Sequence, residues 1–514
     1  MTTSRRFLAR LAPSVVLACS TLGTALWATD AQASGLSTAR FGGEHGHPTG
    51  TNATTIYYNP GAIALTKGTH IYVDGLIALR KVSYERPDSA VNLNPGQAMG
   101  DTPLSISAAD GANNGTANLF NVAGAPFIGV VSDFGTEFIY GGVAAYVPFG
   151  GGARWGKNKA FENSTDFAGA YDGVQRWYAI DGNLRSFYIT GALAFKIKAA
   201  ANLTIGVSGS AIYTSFDTIR ARNADGTDNL VSGSDPSSYV LKEGRSWLVA
   251  SGWTGGFAAG FTVEPVKDIL WIGGSYTSQP GVAGGMSLKG TLTNIFANAA
   301  EPAVTDIELT QAYPDIVRLG FRVRPIPKLE LRVFADYSRW SVMDKQCVMI
   351  VESDPSNDDT RNCNFPNADS ALTDPSSFGA APDDPEQTDV IDVTQHLPRF
   401  WKDAGGVRIG VGYWFIDELE TYIGLGYDSS AVPVEMVDPA LFDMDKVTIT
   451  AGVLWQAHKH VAMGATVGQV IYFPVDTKGR NVLNEFQPPT KQASADGVYK
   501  QWLTLGNLYL DISF

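Results

Sequence analysis

Long apolar runs are missing from this chain of 514 residues. After the first thirty or so positions, no stretch approaches the roughly 18 consecutive apolar residues that a membrane-crossing helix needs. If the chain lies in a membrane, it must do so as a closed barrel, the only other way to satisfy every backbone group in lipid. Positive charge is also scarce, since 38 Lys and Arg against 51 Asp and Glu leave a net charge of −13. That balance argues against nucleic acid as a partner, because phosphate binding needs a basic face. There is no G-x-S-x-G elbow, no Walker loop and no Cys-x-x-Cys pair, so nothing marks an enzyme or calls for a cofactor. His45 with His47 and His458 with His460 form close pairs that would share one face of a strand. Neither has a third ligand nearby in sequence, so no metal site is expected.

Composition decides less. Hydrophobic residues at 44% and charged residues at 17% exclude a disordered chain, while 55 glycines and 11% aromatics suit a barrel or a soluble β protein equally. The N-terminus reads as an export signal. Arg5, Arg6 and Arg10 precede an apolar segment from Leu11 to about Ala28, and Ala31-Gln32-Ala33 offers a cleavage site. Residues 1–33 are thus expected to be removed. The paired arginines also fit a twin-arginine signal, but that route carries folded cargo and a barrel should cross the inner membrane unfolded. Of three cysteines, Cys19 falls in the signal, leaving Cys347 and Cys363, sixteen positions apart. In an oxidising compartment these two are expected to pair, closing a loop worth about 3 kcal/mol in the chain-entropy picture.

From residue 69 onward the sequence alternates with period two. In Leu329 to Tyr337 one face is apolar and the other carries Glu330, Arg332 and Asp336. Val317, Leu319, Phe321 and Val323 alternate with Arg318, Gly320, Arg322 and Arg324, and Val407 to Phe415 behaves alike. Such segments fit tilted membrane strands with apolar side chains to lipid and polar or small ones to the lumen. The last strand, with Leu508, Leu510, Ile512 and terminal Phe514 in phase, looks like the ending of a bacterial outer-membrane barrel. The expected fold is therefore all-β, a monomeric antiparallel transmembrane barrel over residues 69–514. Arg324 to Lys328, with Pro325 and Pro327, must be a short turn. Residues 344–399, rich in Asp, Asn, Ser and Pro, read as a large acidic extracellular loop. Its carboxylates are either simply solvated or bind cations that bridge to lipopolysaccharide; it also leaves open a surface-adhesion role.

Two segments break the pattern. Residues 34–68 contain Asn59, a helix cap, before Pro60, which needs no N–H partner there, and a short apolar helix is expected from Ala62 to Leu65. A compact helical piece before the first strand suits a plug in the lumen or a turn packed outside the barrel mouth. Gly142 to Gly152 contains Pro148, which cannot donate to a ladder, among glycines. It reads either as a kink that breaks pairing to one neighbour or as a plain turn past a strand end.

Taken in order, these segments resemble the FadL family of outer-membrane long-chain fatty acid transporters. Phe41-Gly42-Gly43-Glu44 followed by Tyr58-Asn59-Pro60-Gly61 looks like the family's N-terminal hatch, with Gly61 where alanine is usual. Pro148-Phe149-Gly150 falls where the family's third strand kinks to open the wall sideways. Gly426 to Pro433, with Asp443-Met444-Asp445, is similar to a further family pattern. The resemblance spans nearly all of the mature chain. It implies about fourteen strands, a lumenal hatch, and passive uptake of long-chain fatty acids or other hydrophobic ligands, some relatives carrying aromatic hydrocarbons. It also implies an outer-membrane location among lipid and lipopolysaccharide. Arg220 stands where a carboxylate-binding residue is expected. The second basic position falls near Cys347, with Lys345 the nearest stand-in, and Phe149 is expected to meet the ligand at the kink.

Overall fold

The structure, a computed structural model, describes residues 40–91, 111–198, 201–232, 240–282, 285–296, 299–351, 368–377, 396–488 and 490–514. The export signal, residues 34–39 of the hatch segment, Cys363 and most of the acidic loop lie outside the described residues.

Fourteen antiparallel strands close on themselves. They are β1 Thr69–Arg86, β2 Gly115–Ser132, β3 Ile139–Gly152, β4 Asp181–Ile197, β5 Leu203–Arg222, β6 Gly244–Val266 and β7 Leu270–Thr277, followed by β8 Ile316–Ile326, β9 Leu329–Ser338, β10 Ala404–Ile416, β11 Leu419–Asp428, β12 Lys446–His458, β13 Val461–Tyr472 and β14 Val498–Ser513. Closure is made by β14 against β1, from His70 opposite Ser513 to Glu85 opposite Val498. The terminal Phe514 amide donates to the Thr69 carbonyl at 2.9 Å, so the chain end completes the seam. A hairpin of Met286–Ile295 and Ala303–Gln311 prolongs the wall, pairing with the first part of β6 and with Val348–Ile350.

The distribution of side chains is the reverse of a soluble protein. Phe120, Val143, Ile423 and Leu508 are each at least 60% exposed, and Phe321, Val317 and Leu319 also face outward. Arg318, Glu330, Arg332 and Glu420 are buried in the lumen. An apolar outer belt and a charged interior are what lipid outside and a walled-off interior require. The lumenal charges hold one another: Arg332 reaches both Glu330 and Glu420 at 2.7 Å, and Arg324 meets Glu330 at 2.7 Å.

Connections are short at one end and long at the other, which sets the periplasmic and outer ends. The proline turn is tighter than its sequence suggests. β8 runs on to Ile326 through a register shift after Val323, so Pro325 sits in a bulge where no donor is missed.

Residues 40–66 lie inside the barrel. A short helix Thr55–Tyr58 is followed by a 3-10 turn, Pro60–Leu65, tighter than the helix anticipated there. Of the two placements open from sequence, the lumenal plug is the one found. The turn presses on bare backbone: a Cβ on Gly206 of β5 would come within 2.4 Å of the Pro60 carbonyl oxygen. One on Gly61 would come within 2.7 Å of the Gly260 oxygen, which explains why this chain has glycine there. Gly206→Ala is therefore expected to unseat the turn without preventing barrel assembly. Planar-bilayer recordings of the purified variant should show steady ion conductance where the parent shows little, with the heat-dependent gel mobility of a folded barrel retained.

Candidate functional site

Each part of the plug is tied to a different stretch of wall. Asn59, fully buried, donates to the Pro48 and Phe261 carbonyls at 2.7 and 2.8 Å while its Oδ1 accepts from the Gly61 amide at 3.0 Å. The Thr204 hydroxyl donates to the Gly61 carbonyl at 2.7 Å, and Ser275 to the Tyr58 carbonyl at 2.6 Å. Phe41 packs among Tyr57, Phe127 and Tyr146. Arg40 pairs with Asp428 and His45 with Glu420, each at 3.0 Å, and the Thr450 hydroxyl donates to Glu44. His47 accepts from the Thr49 amide through Nδ1, so its Nε2–H donates to the Val333 carbonyl at 2.9 Å. Burial holds this imidazole neutral, lowering its pKa from 6.5 to about 3 against the opposing pull of the Val333 bond.

Above the plug, toward the outer end, is a cavity. Leu184, Leu248, Leu292, Leu309 and Phe442 supply an apolar wall, and Arg80, Arg220, Arg222 and Arg399 supply charge. Arg80 donates to Gln501 at 2.8 Å and Arg220 to Gln492 at 3.2 Å, both neutral amides. Arg399 is bound to Asp438 at 2.6 Å.

The wall is interrupted beside the plug. β3 pairs with β2 only as far as Tyr146 opposite Phe127, and on its other side the register with β4 shifts between Tyr146 and Phe149, around Pro148. Farther out the chain reattaches through a Leu119–Trp155 bridge and the Gly156 amide on the Asn118 carbonyl at 2.8 Å. The unpaired stretch is thus a window in the hydrogen-bond ladder rather than an open seam, crossed by the Asn121 side chain donating to the Gly152 carbonyl at 2.9 Å. Behind it is a second, smaller cavity whose lining includes Ile56 and Tyr57 of the plug, Tyr146, Pro148, Phe149, Tyr188 and Phe257. Phe149 stacks on Tyr313 with centroids 4.5 Å apart.

Of the residues singled out in the sequence, Arg220 lines the larger cavity and Phe149 and Pro148 the smaller one. Gly150 lies in β3 beyond the register shift, opposite Arg185. Lys345 pairs with Pro398 in a two-residue bridge, and its neighbour Gln346, not Lys345, lines the cavity. Cys347 is disulfide-bonded between the lining residues Gln346 and Val348; Cys363, its expected partner, is outside the described residues. Arg80, Arg222 and Arg399 were not anticipated. Arg80 shares its face of β1 with Ala78 and Val82, and Arg222 follows Arg220 by two, so the inward phase of each strand carried that signal. No cluster of three or more His, Cys, Asp or Glu able to hold a metal occurs among the described residues.

A corked barrel with an interrupted side wall and an apolar chamber defines a class of outer-membrane channel. The chain belongs to the family of outer membrane protein transport proteins (OMPP1/FadL/TodX), whose model matches residues 14–492. Membership makes it a multi-pass outer-membrane transport channel, not an enzyme. Its fold is similar to that of a Pseudomonas aeruginosa FadL homologue, at 16% identity and TM-score 0.67 over 95% of this chain and 100% of that one. It is also similar to the Ralstonia pickettii toluene transporter TbuX (16%, TM-score 0.54, 91% of this chain and 96% of that one). The P. putida toluene transporter TodX matches at 14% and TM-score 0.55, over 90% of this chain and 94% of that one. Among curated proteins, a sequence search finds no match.

The neutral His47 sets a pH dependence for the plug. The seated plug carries no proton there, whereas the free segment gains one below 6.5, so seating is at full strength above that value and weakens as pH falls toward 3. Bilayer conductance is expected to stay low at about pH 8 and to rise as the buffer is taken to about pH 4, with a flatter profile in His47→Gln.

Proposed function

We propose that the chain takes up hydrophobic molecules passively, holding them in the arginine-lined cavity and releasing them through the side window after the plug shifts. An acid-headed, long-chain ligand such as a fatty acid suits that cavity best. The observation that supports this reading is the cavity in which an apolar wall faces Arg80 and Arg220. Each methylene buried against such a wall contributes about 0.8 kcal/mol, enough for an acyl tail to be drawn in without an energy source. A carboxylate head gains charge-assisted hydrogen bonds from the guanidinium groups. Leaving sideways, beside Pro148, spares the tail a return to water.

A second reading, uptake of neutral aromatic hydrocarbons, has its own support. The smaller cavity behind the window is lined in part by aromatic rings and, among the described residues, by no charged side chain. Two of the similar structures are named as toluene transporters, and another as a monoaromatic hydrocarbon channel, which favours this reading.

Expression in a host that lacks its own fatty-acid channel is expected to restore uptake of labelled oleate, and Arg220→Ala to reduce it by about tenfold. Restored uptake of labelled toluene without oleate would select the second reading. Failure with both would remove the transport proposal.

A further inference from the structure

On the outside of the barrel, across the seam that closes it, the apolar belt ends in two lysines. The outward side chains of β1 run through Ile77 and Leu79 and then change to Lys81, Ser83 and Glu85. β14 changes at the same level, from the exposed Trp502 to Lys500. Since β1 leads into the long connection of residues 87–114, this boundary lies at the outer end. Strand register fixes the neighbours. Lys81 stands opposite Phe120 of β2 on one side and Trp502 on the other, rings that are 67% and 58% exposed. Two residues farther out, Ser83 stands between Asn118 and Lys500.

Lys81 and Lys500 are therefore diagonal neighbours on one face, with Cβ atoms on the order of 7 Å apart. Both are exposed, and among the described residues neither has a carboxylate partner. Glu85, the next outward residue of β1, lies opposite Val498 and pairs with neither lysine. In a chain of net charge −13, two adjacent cations without a counter-charge mark a place where that charge comes from outside the chain. Their depth identifies its source. A cation on the lipid face is unfavourable at mid-membrane and costs little at the boundary. A lysine stem laid along flanking rings carries its ammonium outward to the headgroups, which in the outer leaflet are the phosphorylated sugars of lipopolysaccharide.

We infer that Lys81 and Lys500, with Ser83 and Asn118 as hydrogen-bond donors, hold a phosphate of the lipid A part of one lipopolysaccharide molecule. Its acyl chains then lie on Phe120 and Trp502. The lysines act as two flexible point charges on one anionic head. The contact needs no bridging metal ion, unlike one made through the carboxylates of residues 344–399. It rests on the outer-membrane location and is independent of which ligand the channel carries.

The test titrates the purified full chain, in nonionic detergent with EDTA, with hexa-acylated bisphosphoryl lipid A, read by native mass spectrometry. Lys81→Gln and Lys500→Gln are each expected to weaken binding about fivefold, and the two together about thirtyfold. Lys81→Arg combined with Lys500→Arg should retain it. So should Lys289→Gln, which removes an exposed lysine opposite Glu308 elsewhere on the wall. Heat-dependent gel mobility checks that each variant is a folded barrel. No binding by the parent, or unchanged affinity in the double glutamine variant, overturns the inference, as does an equal loss in Lys289→Gln. Phosphatidylglycerol held as tightly as lipid A overturns it too, making the patch a general contact for anionic lipid.

Discussion

Asn59 carries the connection on which this architecture rests. Its single side chain joins three things that sequence keeps far apart: the first half of the plug through Pro48, the barrel wall through Phe261, and the start of the 3-10 turn through Gly61. Both of its amide hydrogens and its oxygen are engaged, in a place with no access to solvent. Few other side chains would serve. Aspartate would set a carboxylate against two carbonyl oxygens, and a leucine would leave three backbone groups without partners. Given that joint, the turn lies on β5 and β6 at backbone contact, and the barrel needs glycine at Gly206 and Gly260 to admit it.

Plug, window and chambers then follow one another geometrically. The same plug helix that is anchored near Asn59 presents Ile56 and Tyr57 to the cavity behind the window. A movement of the plug must alter that cavity, because two of its walls belong to the plug. The charged side of the lumen, where Arg408 lies near Asp336 and Asp428 and Arg40 joins Asp428, fastens the other flank. Apolar contacts therefore line this chamber and ion pairs fix the frame.

Much of the fold was legible because lipid enforces a simple code. Leu331, Val333 and Glu330, Arg332 betray their faces by alternation alone, and Phe514 marks the closing strand. Pro148 announced trouble in the ladder because a missing N–H has the same consequence in any sheet; what sequence left open was a turn versus a kink, which depends on where β2 ends. The plug's placement was equally open, since Asn59-Pro60 fixes a cap but not what surrounds it. The cavity was least legible. Arg399 comes from a loop, and Arg80 and Arg220 from strands separated by three others, so their presence around one chamber is a fact of barrel geometry rather than of spacing. Lys345 is the basic residue nearest the expected position in sequence, yet its neighbour Gln346 is the one that lines the chamber.

The plug is not a separate part. It continues into β1 through Lys67 and Gly68, and Gly68 is held by Asp133 at the rim. A cork on so short a leash never diffuses away, so re-stoppering is an intramolecular event at an effective concentration on the order of millimolar. On the transport reading proposed above, the channel would reset after each passage without a helper protein, with the plugged form as its resting state.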